Sequence, residues 1–273
     1  MTKPAIIIEP ISAKSQYSLS ELWAYRELIW LMLIRDIKVR YKQTVLGVAW
    51  AVIQPLMTML IFTFIFGRLA NIPSDGLPYP VFVFSGLLAW NFFSSAVSAG
   101  GVSLLGASSM ISKVYFPRLI IPLASIGVSA VDFLVSFMIL IIIMAVYLIA
   151  PSWQILLFPL FVFGLALLAI GLSAWLTAIT VIYRDFRFVI PFMVQIWMYI
   201  TPVIYPVSFI PEKWRWLMYL NPMSGWVNGI RATTLGTNID WFAVSASSVL
   251  TLLILMFGLK YFKRAERRFA DVI

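Results

Sequence analysis

Six stretches of this sequence run for about twenty residues with almost no charge, and that pattern fixes the class of fold before any motif is considered. They cover approximately residues 48–67, 81–104, 119–149, 156–182, 188–206 and 241–261. Crossing about 30 Å of hydrocarbon at about 1.5 Å per residue takes roughly 20 residues, so each run is of spanning length. The third is long enough to tilt or protrude, and the fifth is interrupted by Pro202 and Pro206. Only 11% of the residues are charged, far below the roughly 25% of an average soluble domain. The chain reads as an all-α polytopic membrane protein with six transmembrane helices.

Orientation follows from lysine and arginine, which collect in cytoplasmic loops. With the N-terminus inside, six spans also bring the C-terminus inside, and the inner segments then hold sixteen of the twenty cations. The outer segments hold only Arg68, Lys213, Arg215 and Arg231. The first residues lack the continuous apolar core and small-residue cleavage site of a signal peptide, so the N-terminus is expected to be retained. The chain divides into a cytoplasmic N-terminal segment (1–46), a six-span domain (47–262) and a basic cytoplasmic tail (263–273).

A net charge of +9 does not point to nucleic acid, because the cations sit beside spans and not on a soluble basic face with base-stacking or groove-reading elements. Cysteine and histidine are both absent. Thiolate nucleophiles, zinc-thiolate sites, the commonest metal ligand and the usual general base are therefore excluded. No GxxxxGK[ST] loop is present to cradle nucleotide phosphates, and no DxD-type acid pair is present to hold a metal-bound sugar nucleotide. An enzyme or a self-powered pump is disfavoured.

Upstream of the first run, Ser18 and Glu21 have capping-box spacing, which starts a helix near Leu19. On it Trp30, Ile34, Ile37 and Tyr41 form one apolar face, flanked by Arg35, Lys38 and Lys42 on one side and Arg40 on the other. That is an amphipathic interfacial helix whose long cations snorkel to headgroups. Spacing leaves it either a topology anchor or a docking surface.

Asp132 is the one charge well inside a proposed span, where a carboxylate costs roughly 2.5–3.5 kcal/mol on insertion scales. With Ser125, Ser129 and Ser136 it forms a polar stripe on one helix face. That stripe either glues helices together or lines a translocation path. Trp50, Trp90, Trp197, Tyr199 and Tyr205 are aromatic candidates for a path wall, since a flat ring with one polar handle suits a sugar face; helix packing and interface belts account for such residues equally well. Residues 206–236 are too apolar for an outer loop and too broken by Pro and Gly for a span. Two short re-entrant helices split at Asn221-Pro222, or an aromatic hairpin at headgroup level, fit that stretch.

RDIKVRYKQTVLGVAWAVIQPL at 35–56, FPR at 116–118, YRD at 183–185, TPVIYP at 201–206 and LNP at 220–222 together resemble the ABC-2 type permeases that export lipid-linked polysaccharides: O-antigen, capsule and teichoic acid. The resemblance runs from about Leu22 to Arg267. It implies a homodimer in the cytoplasmic (inner) membrane, each subunit docked on a separately encoded ATPase that binds ATP and Mg, with no cofactor in this chain. It also implies two short re-entrant helices before the last span. By the same resemblance Arg35, Asp36, Arg40 and Tyr41, with Lys113, Phe116 and Arg118, face the ATPase, and Tyr183, Arg184 and Asp185 lie close by. O-antigen is the leading substrate, with capsule, teichoic acid or another cargo as alternatives. A secondary transporter or channel is a further rival and needs a coupling-ion site or selective ring. A membrane-embedded glycosyl- or acyltransferase needs a clustered acid, histidine or metal site.

Overall fold

The computed structural model describes residues 19–42, 48–111 and 116–272. Ser18 of the expected capping pair, Lys3, Lys14 and Lys113 lie outside the described residues. The chain begins with α1 (Leu19–Ala24) and α2 (Arg26–Lys42), which meet at a turn on Tyr25. Then come α3 (Val48–Phe62, continued as a π-helix through Leu69), α4 (Tyr79–Gly106), the short α5 (Ser108–Ile111) and α6 (Ile120–Val146). After these follow α7 (Phe158–Ile182), α8 (Phe186–Ile200), α9 (Trp216–Tyr219), α10 (Pro222–Leu235) and α11 (Trp241–Val272).

Among the described residues five helices are long and apolar enough to cross a membrane: Ala49–Leu69, Tyr79–Gly106, Ile120–Val146, Trp153–Ile182 and Trp241–Arg267. The fifth apolar run, interrupted by Pro202 and Pro206, stops short of the span expected over 188–206. It gives α8, only 15 residues long and so about 22 Å. Proline explains the early stop. Pro202 disfavours helical backbone in the residue before it, and Thr201 is extended at φ −91, ψ 141. The final helix continues well past the apolar run, so the basic residues after 262 extend α11 in one unbroken rod.

α4 forms the centre of the bundle. It packs against α6, α7, α8 and α10, and 78% of its most apolar window is buried, against 11% for α3 at the edge. The lipid-like apolar faces of α3, α8 and α11 stay open, with Leu60, Phe64, Phe188, Phe192, Leu253 and Phe257 all more than half exposed.

Two forms of close packing hold α7 in place. Against α11 the contact is backbone to backbone: a Cβ on Gly258 would lie 2.0 Å from the carbonyl oxygen of Gly171. Against α10 it is ring into glycine, twice over. Trp226 lies on Gly164, and Phe161 lies on Gly229, where a Cβ would meet the ring at 2.0 Å. Small residues at such crossings let dispersion contacts replace the hydrophobic drive that lipid removes.

α10 has clear local punctuation. The Asn221 side chain accepts from the Met223 N–H, Pro222 occupies the first helical turn, and Gly236 ends the helix at φ 73. Its 14 residues reach about 21 Å, short of a crossing, yet Pro222 to Val227 and Gly229 to Leu235 are all buried.

Leucine at Gly258 is expected to force α7 and α11 apart and abolish a monodisperse detergent-solubilised protein. Alanine at the exposed Leu253 should leave the elution profile unchanged, as size-exclusion chromatography would report.

Candidate functional site

Asp132 lies near the middle of α6, and two side chains from α2 close on it. Arg40 Nη2 is 2.9 Å from Asp132 Oδ2, and the Tyr41 hydroxyl donates to Asp132 Oδ1. Burial, reinforced by the Asp132 carboxylate, pushes the Tyr41 phenol up to about 12, so it remains a protonated donor. The acid that sequence placed in a path or packing stripe and two residues that resemblance placed on a docking surface thus form one clasp.

The clasp works because α2 lies along α6. Leu33 fills the space above Gly127, where an added Cβ would come within 2.9 Å of its methyl, and Met32 is buried. The face packed on protein is therefore Tyr25, Ile29, Met32 and Leu33; on the face through Trp30, Ile34, Ile37 and Tyr41, Trp30 is exposed, Ile34 and Ile37 are partly buried and Tyr41 turns to Asp132. Trp30 is 60% and Trp23 70% exposed. These two exposed indoles lie on either side of the turn at Tyr25, Trp23 on α1 and Trp30 on α2. Helix α2 thus packs one face on protein and leaves Trp30, Leu31 and Val39 exposed.

Above the clasp a groove of about 820 Å³ runs between α3, α4 and α6. Arg40, Tyr41 and Asp132 close one part of it; Trp50, Gln54, Asn91, Ser95 and Ser136 contribute to its walls. Ser95 and Ser129 bridge α4 and α6 through their hydroxyls at 3.0 Å. Amide and hydroxyl groups on three otherwise apolar helices give a surface that can exchange hydrogen bonds with a polar solute at membrane depth.

Of the expected wall residues, Trp50, Asp132 and Ser136 meet in this groove. Ser129 supports it from behind, and Ser125 bonds back to the Ile121 carbonyl of its own helix. Trp90 is buried at 3% against Phe93. Trp197 donates to Asn221 Oδ1 at 3.0 Å, which ties α8 to the cap of α10. Tyr205 donates to the Tyr199 carbonyl beyond the end of α8. The five candidate aromatics are thus divided among three places. Gln54, Asn91 and Ser95 join the wall without having been expected there, although Asn91, Ser95 and Ser98 recur at helical spacing on α4.

The expected docking residues divide as well. Arg35 is half exposed and pairs with Asp36 at 2.8 Å, and Tyr183, Arg184 and Asp185 form an exposed turn between α7 and α8. Phe116 is buried in a cluster with Leu119, Phe262 and Phe269. Arg118 donates from its side chain to the Glu266 carbonyl and from its backbone N–H to the Glu266 carboxylate. Lys113 lies outside the described residues.

The ABC-2 type transporter family model matches residues 27–235, more than half of the sequence. The chain belongs to the ABC-2 type transporter family. This ABC-2 chain, a multi-pass membrane protein, is 27% identical over 267 residues to the O-antigen export system permease protein RfbA of Klebsiella pneumoniae, which covers 96% of this chain and 100% of that one. It is 29% identical over 258 residues to the protein of the same name from Myxococcus xanthus (93% and 98%). It is also 24% identical over 242 residues to the polysialic acid transport protein KpsM of Escherichia coli (86% and 92%).

Removing one partner of the clasp leaves a charge without its mate. Allowing for a guanidinium that is 46% exposed, Arg40→Leu should lower stability by about 1–2 kcal/mol. The double variant Arg40→Leu/Asp132→Leu should recover most of that loss. Thermal unfolding of the four proteins in detergent, read as a double-mutant cycle, checks the coupling.

Proposed function

We propose that this chain is the membrane permease of an ATP-driven exporter of lipid-linked polysaccharide in the cytoplasmic membrane, with O-antigen as the substrate. The observation that carries the reading is the polar groove between α3, α4 and α6, found in a family member whose full-length relatives bear polysaccharide-export names. A glycan requires hydroxyl-compatible walls and weak, exchangeable contacts. An apolar drug-like cargo has no use for Asn91, Ser95 and Asp132.

In this reading α8 and the turn after it make the fifth of six crossings, and α9 with α10 forms a re-entrant pair. The buried N-cap of α10, Asn221, supports that: irregular backbone near membrane depth is tolerated where protein covers it. Both termini are cytoplasmic. The exporter is a homodimer, and a second copy set against the open face of α3 would turn the groove into a path.

Energy comes from a separate ATPase subunit in two copies, which holds ATP and Mg; the absence of a phosphate-binding loop in this sequence agrees with that division. The ATPase docks on the cytoplasmic end, where Arg35, Tyr183 and Arg184 are exposed. Arg40 is a poor probe of docking because its charge also holds Asp132.

Deletion of the gene is expected to remove surface polysaccharide and trap lipid-linked polymer on the cytoplasmic side. Complementation with Asn91→Leu/Ser95→Leu should restore normal protein levels but not surface polymer. Normal surface glycan in the deletion strain would refute the reading, and loss of capsule with O-antigen intact would move the substrate to a capsular polymer.

A further inference from the structure

A buried cation elsewhere in the fold is left unexplained by groove and clasp. Arg231 of α10 is 5% exposed. Its Nη2 donates to the Val203 carbonyl at 2.9 Å, its Nη1 reaches Asn228 Oδ1 only at 3.3 Å, and its guanidinium lies 3.8 Å from the centre of the Phe82 ring. Nε has no partner. A guanidinium carries five N–H donors, so this one is poorly served, and no carboxylate lies within ion-pair reach of it among the described residues. Room for it is provided on α4 by Gly86, where a Cβ would sit 2.6 Å from Nη2. Burying a cation with so few partners is unfavourable, and an apolar side chain of similar volume would pack α10 without that penalty.

Arg231 lies at the floor of a second cavity, about 480 Å³, at the end of the bundle where α4 and α11 begin. The volume is within the about 300–1,000 Å³ of small-ligand pockets. Asn228 borders Arg231, and Asp75, Ser208, Thr237 and Asp240 make up much of the rim. Asp75 accepts from the Ser208 hydroxyl at 2.6 Å, and Asp240 accepts from the Ala243 N–H, capping α11. One cation below two carboxylates disfavours a ligand that is strongly anionic or strongly cationic. A neutral hydroxyl, which donates to a carboxylate while it accepts from a guanidinium or amide N–H, suits the polar wall of the cavity, and the C–H face of a sugar suits Leu77, Phe82 and Pro206.

We propose that this cavity is a carbohydrate subsite that takes a neutral, hydroxyl-rich sugar residue where a polymer leaves the bundle. It depends on the export reading only for the direction of travel; the binding itself is a property of the isolated chain.

The test uses the full chain in lipid nanodiscs and saturation-transfer NMR with four neutral probes: glucose, galactose, mannose and N-acetylglucosamine. Asp75→Asn/Asp240→Asn removes both charges while keeping an acceptor for Ser208 and a competent helix cap. At least one sugar should give transfer in the native chain, and its apparent affinity should fall about fivefold or more in the amide variant. Inorganic phosphate should not displace it. The proposal is overturned by no transfer from any of the four sugars, by transfer that the amide variant leaves unchanged, or by displacement with phosphate. Any of those results, alongside loss of surface polymer in the deletion strain, removes the subsite and leaves the export reading standing.

Discussion

A carboxylate cannot be left without partners in the middle of an apolar helix, and the architecture around α6 follows from how Asp132 is answered. Its partners come from outside the spans: Arg40 and Tyr41, at the end of a helix that does not cross, reach in to pair with it. The insertion cost of roughly 2.5–3.5 kcal/mol is offset by one ion pair and one charge-assisted hydrogen bond. Offsetting it fixes the register of α2 on α6, with Leu33 over Gly127. Because Asp132 also borders the groove, the same contact joins α2 to the groove wall. Movement of α2 cannot leave that wall unchanged.

Rigidity is distributed unevenly around the clasp. α7 is held by backbone contact with α11 at Gly171 and Gly258 and by reciprocal ring-on-glycine contacts with α10. α3, which borders the groove, is the least buried of the spanning helices. A fixed interior beside a loosely held wall is the arrangement expected of a bistable path, since packed cores resist continuous deformation while interfaces shift between discrete states.

Much of this was legible in the sequence, for reasons that differ by element. The five spans fall within a few residues of their apolar runs, because hydropathy and length alone determine them. α8 departed from its run because a local backbone effect at Pro202 overrode the apolar pattern. That Asp132 required a partner could be read from one sequence; that the partner was Arg40, 92 positions away, could not, since no local spacing links them. Which residues of α2 pack on α6 was hidden for a related reason: apolar residues occur around much of the helix, and only the tertiary partner α6 decides which of them meet protein.

The account rests most heavily on the claim that Asp132 holds α2 in a single position against α6. Since the chain has no cysteine, nitroxides can be placed selectively at Val39 and Leu134, both more than half exposed, and their separation measured by pulsed electron-electron resonance in lipid nanodiscs. The clasp predicts one narrow distance distribution that broadens or splits when Asp132→Leu is added. An unchanged narrow distribution in that variant would contradict it.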